Sequence, residues 1–378
     1  MKFSSSLQTP SHRETSPRRP WRYLALSLLA IACGCATQVI PSQVSKMDVP
    51  KIPPSPGTVV AGPGQLRAGM IGLDTSHVPN FVKIFNDPKS GPDFAGIKIV
   101  TAYPGGTDMF ASRTRVVKFT DGVRAAGVEI VDSIPSLLAK VDVVFIESVD
   151  GRIHLEEATQ VILAGKPLWI DKPAAGTLAE AVAIYDLAKK HNVPVFSSSA
   201  LRFSKGIGEL RSKKELGTLT GALSWGPCDY EKGTPDLFFY GIHGVEPLFA
   251  LLGEGCVSVT RLQTTNADLV TGIWNDGRVG TYRGHRKGKG GFGLVAFGSD
   301  SIAVASPGSL GGYKDLCVEI ARFFRTKKVP VTPEQTLEVL AFMEAADESK
   351  RQGGKSVTLA SVMAKARQDA AKLAVSRR

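Results

Sequence analysis

Between residues 67 and 196 short apolar runs alternate with amphipathic segments, and this alternation restricts the chain more than any other feature. Residues 67–72, 97–103, 128–131, 141–146, 168–170 and 193–196 are brief and apolar, as strands are. Between them, residues 78–85, 112–126, 136–139, 153–164 and 178–191 read as helices. Val78, Phe81, Val82 and Phe85 fall on one helical face. Strands separated by helices cannot pair as hairpins. Each needs a crossover, which makes the strands parallel and lays helices on both faces of the sheet. The first half is therefore predicted to be a doubly wound parallel sheet.

The pattern changes after residue 200. Residues 218–226, 256–265, 267–275, 277–286, 292–299 and 301–306 read as consecutive strands, with Asn275-Asp276-Gly277 as a hairpin signal. Helices are expected at 206–215 and 241–252. A further helix covers 313–326, and Thr332-Pro333-Glu334-Gln335 opens another, with Thr as cap, Pro at the first position and Gln three residues on. There are no internal repeats. The expected fold class is α/β: an N-terminal doubly wound parallel sheet over 67–200, an α+β domain with a mostly antiparallel sheet over 201–330, and a C-terminal helix and tail over 331–378 packing back on both.

Residues 1–35 are set apart. Arg18, Arg19 and Arg22 precede an apolar run at 23–32 that is too short for a comfortable membrane span, and the run ends at Cys33-Gly34-Cys35-Ala36. This is the layout of a bacterial export signal with Cys33 or Cys35 lipidated, and Arg18-Arg19 adds a twin-arginine element. Residues 36–66, with Pro50, Pro53, Pro54, Pro56 and Pro63, form a Pro-rich linker. The expected location is the periplasm or the membrane surface, with the lipid as the sole membrane contact. The net charge of +11 is spread along the chain, and basic clusters such as Lys287-Gly288-Lys289 lack interleaved aromatics, so no nucleic-acid partner is expected. Cys228, Cys256 and Cys317 are too widely spaced for a disulfide framework or a metal-ligand pair, and no metal ligands are assigned.

The chemistry centres on Asp171-Lys172-Pro173, directly after the predicted strand 168–170. The carboxyl edge of an open α/β sheet is where ligands bind. A lysine desolvated there titrates closer to neutrality and can move a proton. Ala164-Gly165-Lys166-Pro167, Asp171-Lys172-Pro173 and Ala174-Ala175-Gly176-Thr177 resemble the stretch ending in Glu-Lys-Pro of the Gfo/Idh/MocA oxidoreductases. Gly241-Ile242-His243-Gly244-Val245-Glu246 is similar to that family's Gly-x-His-x-x-Asp helix. Val329-Pro330-Val331-Thr332-Pro333-Glu334 is a third match. The resemblance implies a Rossmann-like first domain that binds NAD or NADP, hydride transfer to or from a sugar, polyol or related carbohydrate, and a homo-oligomer. It places Lys172 beside the nicotinamide and substrate and makes His243 the acid–base residue. It puts the cofactor against Gly72, Asp74, Thr75, Ser76, His77, Ser148, His154 and Lys172. Arg202, Tyr240 and Glu246 are positioned either as substrate contacts or as structural groups, with Glu246 and Asp171 also able to partner His243.

Three departures leave a second reading open. Gly72-Leu73-Asp74-Thr75-Ser76-His77 stands where the family has Gly-x-Gly-x-x-Gly, and only Gly72 is kept. Asp74 would repel a pyrophosphate unless it points away or carries a proton; Thr75 and Ser76 could bond phosphate, or one of the three could cap the helix. The second strand ends in Tyr103-Pro104-Gly105-Gly106-Thr107, without the acid that would bind a ribose, which suits NADP or no dinucleotide. Phe239 stands where many family members have Asp. The alternative is a non-catalytic carbohydrate-binding protein that kept the fold and lost the dinucleotide.

Overall fold

The computed structural model describes residue 59 and residues 61–375. The export signal, Cys33 and Cys35, and the linker up to residue 58 lie outside the described residues. Six parallel strands form the first sheet: β1 Leu66–Ile71, β2 Ile97–Tyr103, β3 Glu129–Ile130, β4 Val143–Ile146, β5 Leu168–Ile170 and β6 Val195–Ser197. Their order is β3-β2-β1-β4-β5-β6, so the winding reverses between β1 and β4. Strands β4 and β5 are buried at every residue, which explains why they read as unbroken apolar runs rather than as alternating ones.

One face of this sheet is covered by the helices His77–Asn86, Val116–Ala125 and Lys314–Thr326, through an aromatic layer. Phe324 meets Phe145 edge-on at 5.0 Å, and Phe323 meets Phe196 at 4.9 Å. The chain thus returns to the first sheet well after leaving it. The other face carries His154–Leu163 and Leu178–Lys190, backed by Pro333–Arg351 and Leu359–Val375. Thr332 caps Pro333–Arg351 in a complete capping box with Gln335.

The second sheet runs β12-β11-β7-β10-β9-β8-β13. Its strands are β7 Leu219–Pro227, β8 Cys256–Gln263, β9 Ala267–Trp274, β10 Val279–His285, β11 Gly293–Gly298, β12 Ile302–Val304 and β13 Val357–Thr358. All pairs are antiparallel except β7 with β10. The α/β class and the mostly antiparallel second sheet agree with the sequence reading. Strand β13 and the helix Leu359–Val375 add to it.

Every residue of the helix Ile242–Leu252 is buried. It lies so close to β10 that a Cβ on Gly244 would fall 2.0 Å from the Tyr282 ring. Ser224 Oγ fastens it by donating to the Gly244 carbonyl at 2.6 Å. Cys228, Cys256 and Cys317 are free and buried, as small apolar residues. Among the described residues, no helix is long and apolar enough to cross a membrane.

Candidate functional site

The carboxyl ends of β1, β4 and β5 converge at the point where the winding reverses. Gly72 follows β1 with φ +82°, and a Cβ there would lie 2.2 Å from Ser148 Oγ and 2.5 Å from its nitrogen. Only glycine allows both that conformation and that contact. Beyond it, Leu73 N–H donates to the Pro104 carbonyl at 2.8 Å. Asp74 turns inward, fully buried, with Oδ1 accepting from Val149 N–H at 2.7 Å. Burial pushes its carboxyl up to about 6. Asp74 therefore ties two strand ends together and does not face a ligand. The helix that starts at His77 receives no side-chain cap from Asp74, Thr75 or Ser76. Of its first three residues, Val78 donates its N–H to the Thr75 carbonyl at 3.4 Å and Pro79 has no N–H, which leaves the His77 amide for an anion.

The other expected cofactor contacts divide. Ser148 donates Oγ–H to Glu157 Oε1 at 2.9 Å, and burial pushes that glutamate well above the carboxylate range. His154 is enclosed, with Nε2 2.8 Å from the Ser148 carbonyl and Nδ1 2.9 Å from the Pro173 carbonyl. Both ring nitrogens are used within the protein. His154 therefore locks the β4 loop to the β5 corner and is not free to touch a cofactor. The loop after β2 is tied to the loop after β4 in the same manner: Thr107 Oγ1 donates to Asp150 Oδ2 at 2.8 Å, and Arg152 pairs with Asp150 and Asp108.

Lys172 is buried, and Asp171 Oδ1 accepts its backbone N–H at 2.7 Å. Its ammonium reaches 67 residues along the chain, donating to the Phe239 carbonyl at 3.4 Å and lying 5.8 Å from the Tyr240 ring centroid. Burial pulls its pKa below the ordinary lysine value, and Asp171 opposes that pull.

Tyr240 in turn meets the His243 ring edge-on at 5.1 Å, with Phe292 5.9 Å away on the far side. His243 Nδ1 is hydrogen-bonded to Ser199 Oγ at 2.7 Å, and Nε2 makes no bond to the protein among the described residues. Burial holds His243 well below its ordinary value, with Lys172 and His77 acting in the same direction. The ring is thus neutral and can accept a proton.

Two of the three proposed substrate contacts are engaged elsewhere. Arg202 Nη1 pairs with Glu246 Oε2 at 2.8 Å, and Ser199 N–H donates to Glu246 Oε1 at 3.3 Å. Both charges are compensated, with Glu246 buried and Arg202 half-buried, so this pair braces the junction and leaves Tyr240 as the contact nearest Lys172 and His243. The partner of His243 is Ser199, not Glu246 or Asp171. No local signal singles out Ser199, because a serine among the three at 197–199 carries no distinguishing pattern.

The site also contains a group that sequence reading did not find. His77 Nδ1 lies 3.0 Å from Asp171 Oδ2 and 3.8 Å from Glu147 Oε2, and Thr75 Oγ1 donates to the same glutamate oxygen at 3.5 Å. The His77 ring packs edge-on against Tyr313 at 4.7 Å. Burial and the neighbouring Asp171 push Glu147 well above the carboxylate range. Burial also opposes ionisation of Asp171, but His77 and Lys172 hold its carboxyl below that range. The one signal for Glu147 was an acid directly after the apolar run 143–146.

Residues 66–199 match the model of an oxidoreductase family with an NAD-binding Rossmann fold, the Gfo/Idh/MocA family. Among curated proteins, none matches the chain by sequence. Solved structures share the fold over most of the chain. One is GenD2 of gentamicin A biosynthesis in complex with NAD, 17% identical over 82% of this chain and 99% of that one, with a TM-score of 0.61. A second is scyllo-inositol dehydrogenase from Lactobacillus casei with bound NAD(H) and scyllo-inositol, 13% identical over 78% and 99%, TM-score 0.64. A third is a putative myo-inositol dehydrogenase from Sinorhizobium meliloti 1021, 16% identical over 78% and 100%, TM-score 0.61. At these identities the likeness is one of fold.

Proposed function

We propose that this chain, whose first domain is that of the Gfo/Idh/MocA oxidoreductases, is an NAD(P)-dependent oxidoreductase acting on a secondary alcohol or carbonyl of a sugar, polyol or related carbohydrate. The observation that carries the reading is that Lys172 and neutral His243 both lie against Tyr240, 5.8 Å and 5.1 Å from its ring centroid. The phosphate loop supports it. Asp74 points away from the uncapped helix start and is partly neutralised by burial, which removes the repulsion its sequence position suggests. Gly72 and the backbone amides of Thr75, Ser76 and His77 would hold the pyrophosphate. The nicotinamide, when bound, supplies the hydride acceptor or donor.

The chain's own residues do the rest. His243 Nε2 accepts the proton of the carbinol hydroxyl, while Ser199 on Nδ1 fixes the ring's orientation. The Lys172 ammonium faces the oxygen and favours the developing alkoxide. Tyr240 and Phe292 form apolar walls that limit water at the reacting oxygen. In the reverse direction the same histidine returns the proton.

The sequence of residues 1–36 supports an exported enzyme, lipidated at Cys33 or Cys35. An exported enzyme needs a tightly held dinucleotide. The test is to denature the purified protein, seek NAD(P) in the extract by mass spectrometry, and titrate NADH and NADPH calorimetrically. Absence of cofactor together with absence of binding removes the oxidoreductase reading and leaves carbohydrate binding alone. With cofactor present, Lys172→Ala and His243→Ala are each expected to lower kcat by about 10²–10⁴-fold, the range for losing a proton-transfer group, with the far-ultraviolet spectrum unchanged.

A further inference from the structure

The geometry points to a divalent cation site of the Zn²⁺ or Mn²⁺ kind, formed by His77 Nδ1, Glu147 and Asp171 Oδ2 at the β5 corner that carries Lys172. The three residues come from separate elements: the first position of the helix after β1, the residue after β4 and the residue after β5. Their ligand atoms all lie within 4.8 Å of one another. Two of the separations, 3.0 and 3.8 Å, approach the roughly 3.0–3.4 Å edge of a coordination polyhedron with bonds of about 2.1 Å.

The bonding around these atoms supports a missing partner. All three side chains are more than nine-tenths buried. His77 Nδ1 and Asp171 Oδ2 face each other without hydrogen-bond geometry, and Glu147 Oε1 has no partner. Buried polar atoms are almost always satisfied, so His77 Nδ1 and Asp171 Oδ2, 3.0 Å apart and without a hydrogen bond, need a common explanation. Neither carboxyl group receives a salt bridge from a lysine or arginine among the described residues. A dication would take both atoms together with a Glu147 oxygen and balance the two carboxylates. One imidazole nitrogen with carboxylate oxygens suits Zn²⁺ or Mn²⁺ better than a thiolate-seeking ion.

Three protein ligands leave coordination positions open, the arrangement of a reactive rather than a purely structural site. Asp171 directly precedes Lys172 and accepts its backbone N–H, which puts the ion at the same β5 corner as Lys172. On the oxidoreductase reading, the ion takes a substrate oxygen next to Lys172 and polarises it. Binding of the ion does not depend on that reading; only its role does.

The test begins with protein purified without chelator, for metal content by plasma mass spectrometry. It continues with chelator-stripped protein titrated with Zn²⁺ and Mn²⁺, NADH being titrated in parallel on the same preparation. We expect about one equivalent of bound metal. Glu147→Gln, which keeps the side-chain volume, and His77→Ala should each weaken binding at least tenfold, with a retained circular dichroism spectrum. Electron spin-echo modulation of bound Mn²⁺ in the wild-type protein should show one imidazole nitrogen, and this readout holds even if a variant fails to fold. Absence of saturable Zn²⁺ or Mn²⁺ binding, wild-type affinity in Glu147→Gln or His77→Ala, or Mn²⁺ without imidazole nitrogen would overturn the site. Metal binding without NADH binding sustains the cation site and removes only the oxidoreductase role; NADH binding without metal does the reverse.

Discussion

His243 is buried next to a lysine and held by one serine, and both facts have measurable consequences. Its pKa is depressed by burial first, then by Lys172 and His77, with Tyr240 the remaining titratable group against its ring. A histidine with a folded pKa below its unfolded value binds fewer protons folded than unfolded. The stability it contributes is therefore complete above about pH 6.5 and is lost as the pH falls below that value. His243→Gln should lose less melting temperature than the wild type between neutral and mildly acidic buffer, and calorimetry at the two pH values measures the difference. An equal loss would mean that His243 stays solvated. Asp74 gives a second prediction at this scale. Asp74→Asn keeps an acceptor for Val149 N–H and should leave both fold and NADH affinity within about twofold of wild type. Asp74→Ala leaves that buried amide unpaired and should cost about 1–3 kcal/mol in urea unfolding. Asp74 also shows where sequence reading stops. Its chemistry could be named from the chain, but not which way the carboxylate points, because its partner Val149 lies 75 residues on.

At the scale of elements, most of the architecture was legible. Strands of β4 and β5 type are unbroken apolar runs because both their faces are covered, and the Thr332–Gln335 box marks a helix start from four residues. Elements that depend on tertiary contact were not legible. Strand β13 is two residues long and exists only as an addition to β8. The bonds holding the second domain's helices to its sheet were equally hidden. Arg261 on β8 has no exposed side-chain surface and pairs with Asp268, Asp236 and Asp347, while Arg286 pairs with Asp268 and stacks 4.3 Å over Tyr230. Arg261 thus bolts Pro333–Arg351 to the sheet. Arg261→Ala strands buried carboxylates and should destabilise the protein by about 3–5 kcal/mol. Arg261→Met, which removes the charge but fills the space, should cost as much or nearly so, since the three acids remain. Urea unfolding of both variants separates lost charge from lost volume.

At the scale of the molecule, the site is built from the elements of both sheets. Lys172 reaches the Phe239 carbonyl, Ser199 after β6 orients His243 on the helix Ile242–Leu252, and Arg202–Glu246 braces the same junction. The pairing of Lys172 with His243 was readable only through its resemblance to a known pattern. The convergence of His77, Glu147 and Asp171 was not readable, because three strand ends bring it together and no local spacing records it. The second sheet raises one more question at this scale. Its inner face packs on Ile242–Leu252 and Pro333–Arg351, but its outer face presents the cross-strand pairs Leu262–Leu269 and Ile273–Val279. All four are exposed, Leu262 by 66%. With the Thr260–Thr271–Thr281 row between them, these exposed apolar pairs form a candidate interaction surface. In the homo-oligomer expected from the sequence resemblance, two such faces would bury each other symmetrically. Leu269→Lys combined with Ile273→Lys places like charges against each other across that interface while leaving the inner core untouched. Light scattering coupled to size exclusion should then report an oligomer for the wild type and a monomer for the double variant, with both melting as folded proteins. A wild-type monomer at micromolar concentration would show that the face is covered by something other than its own copy.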